Sequence, residues 1–312
     1  MTHSHCWVIR HILRIRIVNT DLEALLETQH GVATSAQILA MQPRRTFNAD
    51  LRTGVLQRIW QGIYCHGEPD DWTRLRGLDL ATGTSVPVCL GTAAALYGFD
   101  TENPEDLHVL NPPHHQLRNV DGLVVHRRNG APMAEFRGRP ATGPNWTAIE
   151  VARSLRRPRA LATLDAALRS GTCNRIDMSR ALAKQAGRRG VVAIRELLPL
   201  ADGRAESPME SEARLVMVDG GLPTPELQYE VIDGHGQLRR LDFAWPDQRV
   251  AAEYDGVDWH SGAEAMLANR KRTSALMDVH WTVVPVIYED VRYRPADLVA
   301  RIDAQLRRAR AA

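Results

Sequence analysis

The chain has 312 residues, of which 44% are hydrophobic and 24% charged, and its formal net charge is +2. This length exceeds what one small core can organise and predicts two or three domains. No apolar run approaches the ~20 residues of a membrane span, which excludes a membrane-spanning protein and predicts a cytoplasmic location. The four cysteines lie far apart in the sequence, so we interpret them as reduced thiols rather than as zinc ligands or disulfides.

The charges are unevenly distributed along the chain. Residues 127–200 contain fifteen basic and five acidic side chains, a local net charge of +10. This excess favours contact with a polyanion. Residues 204–260 contain five basic and twelve acidic side chains, a local net charge of −7, which suits a metal site better than a phosphate groove.

The N-terminal part of the chain predicts a short extension followed by a winged helix. Residues 1–20 mix histidine and arginine with isoleucine, which excludes a signal-peptide core and predicts a poorly ordered extension. Helices are predicted at residues 21–30, 35–41 and 43–53, the second capped by Thr34 and the third ended by Gly54. Strand-like runs at 55–60 and 63–66 predict a hairpin. Three helices and a hairpin are typical of a winged helix, which we place at residues 21–73.

The third helix is the element of a winged helix that reads DNA, and its polar residues are therefore candidate contacts. Arginine and asparagine suit both base edges and phosphates. The alternative is an ordinary solvated helix face, because residues 21–66 are neutral overall. The predicted DNA-binding residues are Arg44, Arg45, Asn48, Arg52 and, on the hairpin, Arg58.

Residues 74–202 predict a basic α/β middle domain. Strands are expected at 107–110 and 123–126, and helices at 146–155, 160–169 and 176–184, separated by proline and glycine. Its arginines would track a phosphate backbone or form a basic solvated surface, and the sequence assigns the segment no function. The arginines in question are Arg153, Arg156, Arg157, Arg159, Arg188 and Arg189.

Residues 203–312 predict the last domain, which contains an acidic hairpin. If Pro246 pairs with Arg249 across a two-residue turn, Asp242 lies opposite Glu253 and Arg240 opposite Asp255. Three carboxylates, those of Asp242, Glu253 and Asp255, then share one face. The other face is predicted to be continuously apolar, and it consists of Leu241, Phe243, Trp245, Val250, Ala252 and Tyr254.

Clustered carboxylates of this kind predict a metal site. Asp242, Glu253 and Asp255 would bind Mg²⁺ or Mn²⁺, which take oxygen ligands and support phosphodiester hydrolysis. The alternative is an exposed acidic hairpin edge, although such edges usually carry lysine and mixed charges. His260 follows in a loop, either as an acid, base or phosphate contact or as an inert side chain.

Two neighbouring helices carry further candidates. Ser207 and Glu210 form a capping-box pattern at the start of one helix, so Glu210 has either that structural role or a role at the metal site. Glu212, two residues later, is interpreted as solvent-facing. On the predicted helix at 263–278, the basic trio Arg270, Lys271 and Arg272 would hold a phosphate or form a solvated face.

The C-terminal hundred residues resemble the PD-(D/E)XK nuclease superfamily, in the branch related to very-short-patch repair endonucleases. The resemblance lies in residues 207–210, 241–243, 253–256 and His260. It implies a mixed sheet in an α/β core, with Asp242 and Glu253 as principal Mg²⁺ ligands. Asp255, Glu210 and His260 would assist, and Gln228 also matches a position typical of that branch. Asp255 stands where the superfamily has a lysine, and the repair-type branch looks similar in lacking that lysine.

Residues 21–64 resemble the winged helix of AbiEi-type antitoxins, in the run from Gly31 to Thr34 and the run from Gly62 to Tyr64. The sequence therefore predicts an α+β multidomain protein that binds DNA and carries a Mg²⁺-dependent endonuclease. The alternative is a transcriptional repressor or antitoxin-like regulator with an inactive nuclease fold and a toxin or a second copy as partner. RNA is a third possible substrate, because basic patches do not distinguish the two backbones.

Overall fold

The computed structural model describes residues 20–99, 105–127, 130–256 and 263–311. These residues form thirteen α-helices and eleven β-strands, a mixture that agrees with the predicted α+β class. The chain divides into two compact units. Unit 1 comprises Met1–Cys89 and Pro104–Ala141, and unit 2 comprises Leu90–Asn103 and Thr142–Ala312.

Unit 1 begins with the elements predicted for residues 21–66, each within two residues of its predicted bounds. The strands form an antiparallel sheet in the order β1-β3-β2. The elements of unit 1 are α1 (Thr20–Thr28), β1 (Val32–Thr34), α2 (Ser35–Met41), α3 (Arg44–Thr53), β2 (Leu56–Trp60), β3 (Ile63–His66), α4 (Asp71–Thr82), β4 (Leu107–Leu110), β5 (Leu123–His126), β6 (Met133–Phe136) and β7 (Arg139–Thr142), whose last residue falls in unit 2.

Local sequence signals set the helix ends in unit 1. Thr34 accepts a hydrogen bond from the backbone amide of Gln37, and the Gln37 side chain accepts one from the amide of Thr34, so both halves of a capping box are present. Gly54 ends α3 with a left-handed φ of 73°, a conformation that glycine adopts without strain. Leu22, Ile38, Phe47 and Leu56 belong to the core beneath these helices.

Helix α4 packs closely against the strand that leads into the hairpin turn. A Cβ atom on Gly77 would lie 2.5 Å from Cδ1 of Ile59, so a larger residue there would require the Ile59 side chain to shift. The indole nitrogen of Trp60 donates to the carbonyl of Arg74 at 2.8 Å, and the Arg74 guanidinium lies 5.5 Å from the Trp60 ring centre. Helix α4 thereby fixes the position of the hairpin.

Unit 2 contains a helical region followed by a four-stranded sheet. The sheet order is β11-β10-β9-β8, with β10 and β11 parallel and the other pairs antiparallel. The elements are α5 (Leu90–Leu96), α6 (Pro144–Ala152), α7 (Arg157–Arg169), α8 (Arg175–Lys184), α9 (Val191–Leu197), α10 (Pro208–Asp219), β8 (Glu226–Ile232), β9 (Leu238–Trp245), β10 (Val250–Tyr254), α11 (Ala263–Met277), β11 (Thr282–Val286), α12 (Tyr288–Arg292) and α13 (Pro295–Ala311).

Apolar clusters cover the sheet of unit 2 on both faces. Phe243 and Trp245 pack with residues of α10 and α13, whereas Ala244 and Ala251 pack with Leu276 of α11. The sheet is therefore enclosed between helices, which explains why its strands are apolar on both faces. Among the described residues, no helix combines the length and apolarity needed to cross a membrane.

The predicted β9–β10 register is confirmed for the three pairs next to the turn. The two-residue turn is wrong, because Pro246–Gln248 form a 3₁₀ turn between the strands, and one residue of the predicted apolar face is also misplaced. Val250 pairs with Trp245 and Ala252 with Phe243, as in the register that places Asp242 opposite Glu253. Leu241, however, packs with Leu276 on the opposite face from Phe243. On β8, the pair Leu227–Phe243 lies on one face and the next pair, Tyr229–Leu241, on the other, and Gln228 between them has a positive φ of 53°.

Candidate functional site

The predicted DNA-contacting residues lie on two elements of unit 1. Arg44, Arg45, Asn48 and Arg52 on α3 and Arg58 on β2 are all exposed. Arg52 donates to the carbonyl of Asn48 and Arg58 to that of Trp60, each at 3.3 Å. Within the described part of the chain, none of these four arginines makes an ion pair. We call these five residues the α3 surface.

The opposite side of α3 is anchored to unit 1. Phe47 meets Tyr64 of β3 edge to face, with ring centres 4.9 Å apart. The Gln42 amide donates to the Asp50 carboxylate at 2.9 Å, and both side chains are buried. The helix is therefore held by its apolar side and presents its cationic side to solvent.

The arginines predicted to track a phosphate backbone in the middle segment have a different environment. Within the described part of unit 2, five of the six form ion pairs, Arg189 being the exception. Arg188 contacts Glu150 at 3.4 Å and lies 4.8 Å from the ring centre of Trp146. Arg157 contacts Asp219 at 2.8 Å. Much of the positive charge counted in residues 127–200 is therefore compensated inside the unit.

Glu212 is the centre of this ion-pair network, and the prediction that it faces solvent is wrong. The residue is 1% exposed. Its Oε1 lies 2.8 Å from Arg292, 3.7 Å from Arg159 and 3.8 Å from Arg156. Because α10 is covered on several sides, by α7, α12 and α13 among others, its polar residues are buried as well as its apolar ones.

The predicted acidic residues lie on β9, on β10 and directly after it, and on α10. Past the Ala252–Phe243 pair, the β9–β10 ladder ends, and the backbone amide of Tyr254 donates to Oδ2 of Asp242 at 2.9 Å. Asp242 is partly buried. Burial raises the pKa of Asp242, and this amide and the Arg272 charge oppose the increase.

Glu210 and Gln228 lie beside Asp242. The Gln228 amide donates to Oε2 of Glu210 at 3.0 Å, and its proximity to Asp242 acts to lower the pKa of that carboxyl group. The amide of Glu210 donates to Oγ of Ser207, as predicted, but the Glu210 carboxylate accepts from the amide of Glu206 rather than from that of Ser207. Burial raises the pKa of Glu210, and the Asp242 charge raises it further.

Glu253 is engaged by an arginine of α11. Arg272 donates through Nη2 to Oε1 of Glu253 at 2.7 Å and to the carbonyl of Arg240 at 2.8 Å. Burial raises the pKa of Glu253 to about 7, against the opposing effect of Arg272 and with smaller contributions from Asp242 and Asp255. A carboxyl group with this pKa holds its negative charge at a cost, which a nearby cation relieves.

The predicted trio of metal ligands is not assembled around one point. Asp255 is exposed, and its amide continues the ladder to Val286 at 2.8 Å. In the ranges that the structure describes, no group of three His, Cys, Asp or Glu side chains is close enough to hold a metal ion. His260 lies outside the described residues.

Sequence reasoning did not find two of the ion pairs in this region. Of the basic trio on α11, Arg270 and Lys271 are exposed and only Arg272 contacts the acidic residues. The sequence also gave no sign that Arg240 pairs with Glu206 at 2.6 Å. That contact joins residues 34 positions apart, so no local pattern reveals it.

Two kinds of comparison with known proteins relate the chain to others. The family described as the AbiEi antitoxin C-terminal domain matches residues 86–200. This match lies in the middle segment, to which the sequence assigned no function, and it does not cover residues 21–64, where the AbiEi likeness was predicted. Two uncharacterized proteins of Mycobacterium tuberculosis, MT2308 of strain CDC 1551 / Oshkosh and Rv2248 of strain ATCC 25618 / H37Rv, are each 55% identical over 269 residues. The alignment covers 86% of this chain and 99% of each relative.

The chain belongs to the family of these two mycobacterial proteins. Among solved structures, it is similar to the crystal structure of the RV2827C protein from Mycobacterium tuberculosis, with 17% sequence identity and a TM-score of 0.42. That similarity covers 67% of this chain and 86% of the other.

Proposed function

We propose that this member of the family is a DNA-binding regulator of the antitoxin type, and that α3 with the β2–β3 hairpin forms a winged helix that contacts DNA. The α3 surface is the observation that carries the proposal, because it presents four arginines without an ion-pair partner among the described residues. The match of residues 86–200 to an antitoxin domain supports it independently.

The spacing on α3 suits a groove. Arg44, Asn48 and Arg52 follow each other at intervals of four residues, which places them along one side of the helix. Arginine pairs with guanine and asparagine with adenine in the major groove, and both also bind phosphates. Arg58, on the hairpin, would contact the backbone beside the groove. The anchored opposite side keeps this array rigid.

Fluorescence anisotropy with a labelled 30-base-pair duplex, measured over a series of salt concentrations, tests this function. We expect Arg44→Ala/Arg45→Ala to weaken binding by about tenfold or more and to reduce the slope of log K against log salt by about 2, since each phosphate contact contributes about 0.9. Arg180→Ala is the matched control, because Arg180 is 72% exposed on α8 of unit 2. Equal affinity and slope in the wild type and the double variant would contradict the proposal.

Under this proposal the antitoxin-like segment contacts a cognate toxin or a second copy of the chain. Size-exclusion chromatography with light scattering distinguishes a homodimer from a monomer. Co-purification with the product of a neighbouring gene tests for a toxin.

A second candidate function, a metal-dependent endonuclease, is favoured by the proximity of Asp242, Glu253, Glu210 and Gln228. Mg²⁺ commonly takes one or two carboxylates and keeps several waters, so the donors available from Asp242 and Glu253 fit it. A bound Mg²⁺ would polarise a phosphoryl oxygen and lower the pKa of a water. Gln228 would hold Asp242 and Glu210 in position through its amide.

Supercoiled plasmid with Mg²⁺ or Mn²⁺ tests the second candidate. Nicking by the wild type and not by Asp242→Asn/Glu253→Gln would support the endonuclease. No cleavage of duplex, single-stranded DNA or RNA, in protein that binds DNA, would leave the regulator as the function.

A further inference from the structure

Asn48 is the uncharged member of the α3 surface and lies in the middle of its helix. It is the fifth of the ten residues of α3 and is exposed. Arg44 lies one turn before it and Arg52 one turn after it, so an arginine flanks it on each side along the helix. Asparagine is one of the less favourable residues in a helix interior, because its side chain competes with the backbone for hydrogen bonds.

No hydrogen bond of the Asn48 side chain offsets this cost among the residues that the structure describes. The bond from Arg52 reaches the backbone carbonyl of Asn48, at 3.3 Å, and not its side-chain amide. The residue is not a helix cap either, since α3 begins after Pro43 and ends at Gly54. The side chain therefore keeps two N–H donors and an acceptor oxygen available for a ligand.

This combination of donor and acceptor matches one base edge of DNA. Adenine presents an N6 amino donor and an N7 acceptor in the major groove, and an asparagine amide bonds both at once. A phosphate offers acceptors alone, so it would leave the amide oxygen of Asn48 without a partner. Arginine has no acceptor. Of the five residues of the α3 surface, Asn48 is thus the one that complements adenine fully.

We propose that Asn48 reads an adenine in the major groove of B-form DNA and thereby sets the sequence preference of the protein. This inference rests on the proposed DNA-binding function of the α3 surface. It also selects DNA over duplex RNA, because the major groove of A-form RNA is too deep and narrow for side chains to read. Loss of the Asn48 amide should therefore remove the preference among duplexes.

Selection from a pool of duplexes with a randomised centre, followed by fluorescence anisotropy on the full-length chain, tests the proposal. We expect the wild type to enrich an adenine-containing site. Replacing one adenine of that site by 7-deazaadenine, which lacks the N7 acceptor, should weaken wild-type binding about fivefold or more. Asn48→Ala should bind the two duplexes alike. Its salt dependence should match that of the wild type, because asparagine carries no charge.

Two further variants of α3 serve as controls. Asn48→Gln retains the amide on a longer side chain, so it should keep part of the sensitivity to 7-deazaadenine. Thr53→Ala, at the exposed end of the same helix, removes a hydroxyl that bonds the carbonyl of Ala49, and it should respond to 7-deazaadenine like the wild type. Asn48→Ala should also raise the melting temperature by about 1–2 °C, since alanine is the better helix former.

The outcomes separate this inference from the proposed function. Equal sensitivity to 7-deazaadenine in the wild type and Asn48→Ala, or enrichment of no adenine-containing site, would overturn the reading by Asn48. DNA binding by the α3 surface would stand without it if Arg44→Ala/Arg45→Ala still lost affinity. Absence of duplex binding by the folded wild type would overturn both. A lower melting temperature for Asn48→Ala would overturn the argument that the side chain has no role in the fold.

Discussion

The arginines of α3 and those around Glu212 are chemically identical and differ in what surrounds them. On α3, Phe47 and Asp50 anchor one side of the helix and leave Arg44 and Arg45 exposed. In unit 2, Arg159 and Arg292 are directed at a carboxylate that is 1% exposed. The local excess of positive charge is larger around Glu212 than on α3. The arginines of α3 are nevertheless more available to bind a ligand. Charge counts along a sequence therefore do not measure electrostatic attraction at the surface.

The largest effect should come from removing the buried carboxylate. We expect Glu212→Gln to lower the free energy of unfolding by about 3–5 kcal/mol, because it leaves several guanidinium groups without a buried counter-charge. Urea denaturation measures this loss, and DNA affinity of the folded fraction should not change. Asp219→Asn is the control, because its pair with Arg157 is 39% and 47% exposed and such pairs contribute about 0–1 kcal/mol. A loss in Glu212→Gln no greater than in the control would contradict the stabilising role of the buried carboxylate.

A smaller effect is expected from the arginine that stacks on an indole. Arg188→Ala removes the contact with the Trp146 ring and the pair with Glu150, which together should cost about 1–2 kcal/mol. The same urea denaturation measures it. Arg195→Ala, exposed on α9, should stay within about 0.5 kcal/mol of the wild type. If both variants unfold alike, Arg188 has no structural role.

The arginines of the α3 surface should give the opposite result. Arg44→Ala/Arg45→Ala removes two exposed side chains that make no ion pair among the described residues, so the free energy of unfolding should change by less than about 0.5 kcal/mol. Thermal denaturation of the same preparation used for anisotropy measures it. A loss of stability equal to that of Arg188→Ala would show that weaker DNA binding reflects unfolding.

The smallest effect concerns a histidine pair in unit 1. Nδ1 of His108 lies 2.8 Å from Nε2 of His126, and burial, assisted by His126, lowers the pKa of His108 below its ordinary value of 6.5. The folded state therefore binds fewer protons, so this contribution to stability is complete above pH 6.5 and lost as the pH falls through the lowered pKa. Melting temperatures measured between about pH 7.5 and 5 should fall less in His108→Gln than in the wild type. Parallel pH profiles would contradict the expectation.

Local signals predicted the elements well. Thr34, Gly54 and the alternation of residues 55–66 predicted the first six elements apart from the short strand β1, and the strands at 107–110 and 123–126 coincide with β4 and β5. Helices α6, α7 and α8 begin or end within three residues of their predicted bounds. These features depend on neighbours in the chain, whose geometry is common to all proteins.

Features set by distant residues were not predictable in the same way. Pairing Pro246 with Arg249 predicted the register of β9 and β10 because a hairpin is local. The position of Leu241 coincides with an irregular residue, Gln228, in another strand, and the burial of Glu212 depends on helices far away in sequence. The positions of Asp242 and Glu253 were predictable because they belong to a local hairpin. The pairing of Arg272 with Glu253 was not predictable, because it joins residues that are distant in sequence.

The buried pair of Asp165 and Arg214 has a practical consequence for cutting the chain. Asp165, in α7, is 0% exposed and accepts from Arg214 of α10 at 2.6 Å and from the amide of Asp202 at 2.7 Å. A fragment that stops where the antitoxin-like match stops, at residue 200, would keep this carboxylate and discard both donors. Fragments that contain the antitoxin-like segment should therefore extend through α10. A shorter fragment should carry Asp165→Asn, so that no buried carboxylate is left without its hydrogen-bond donors.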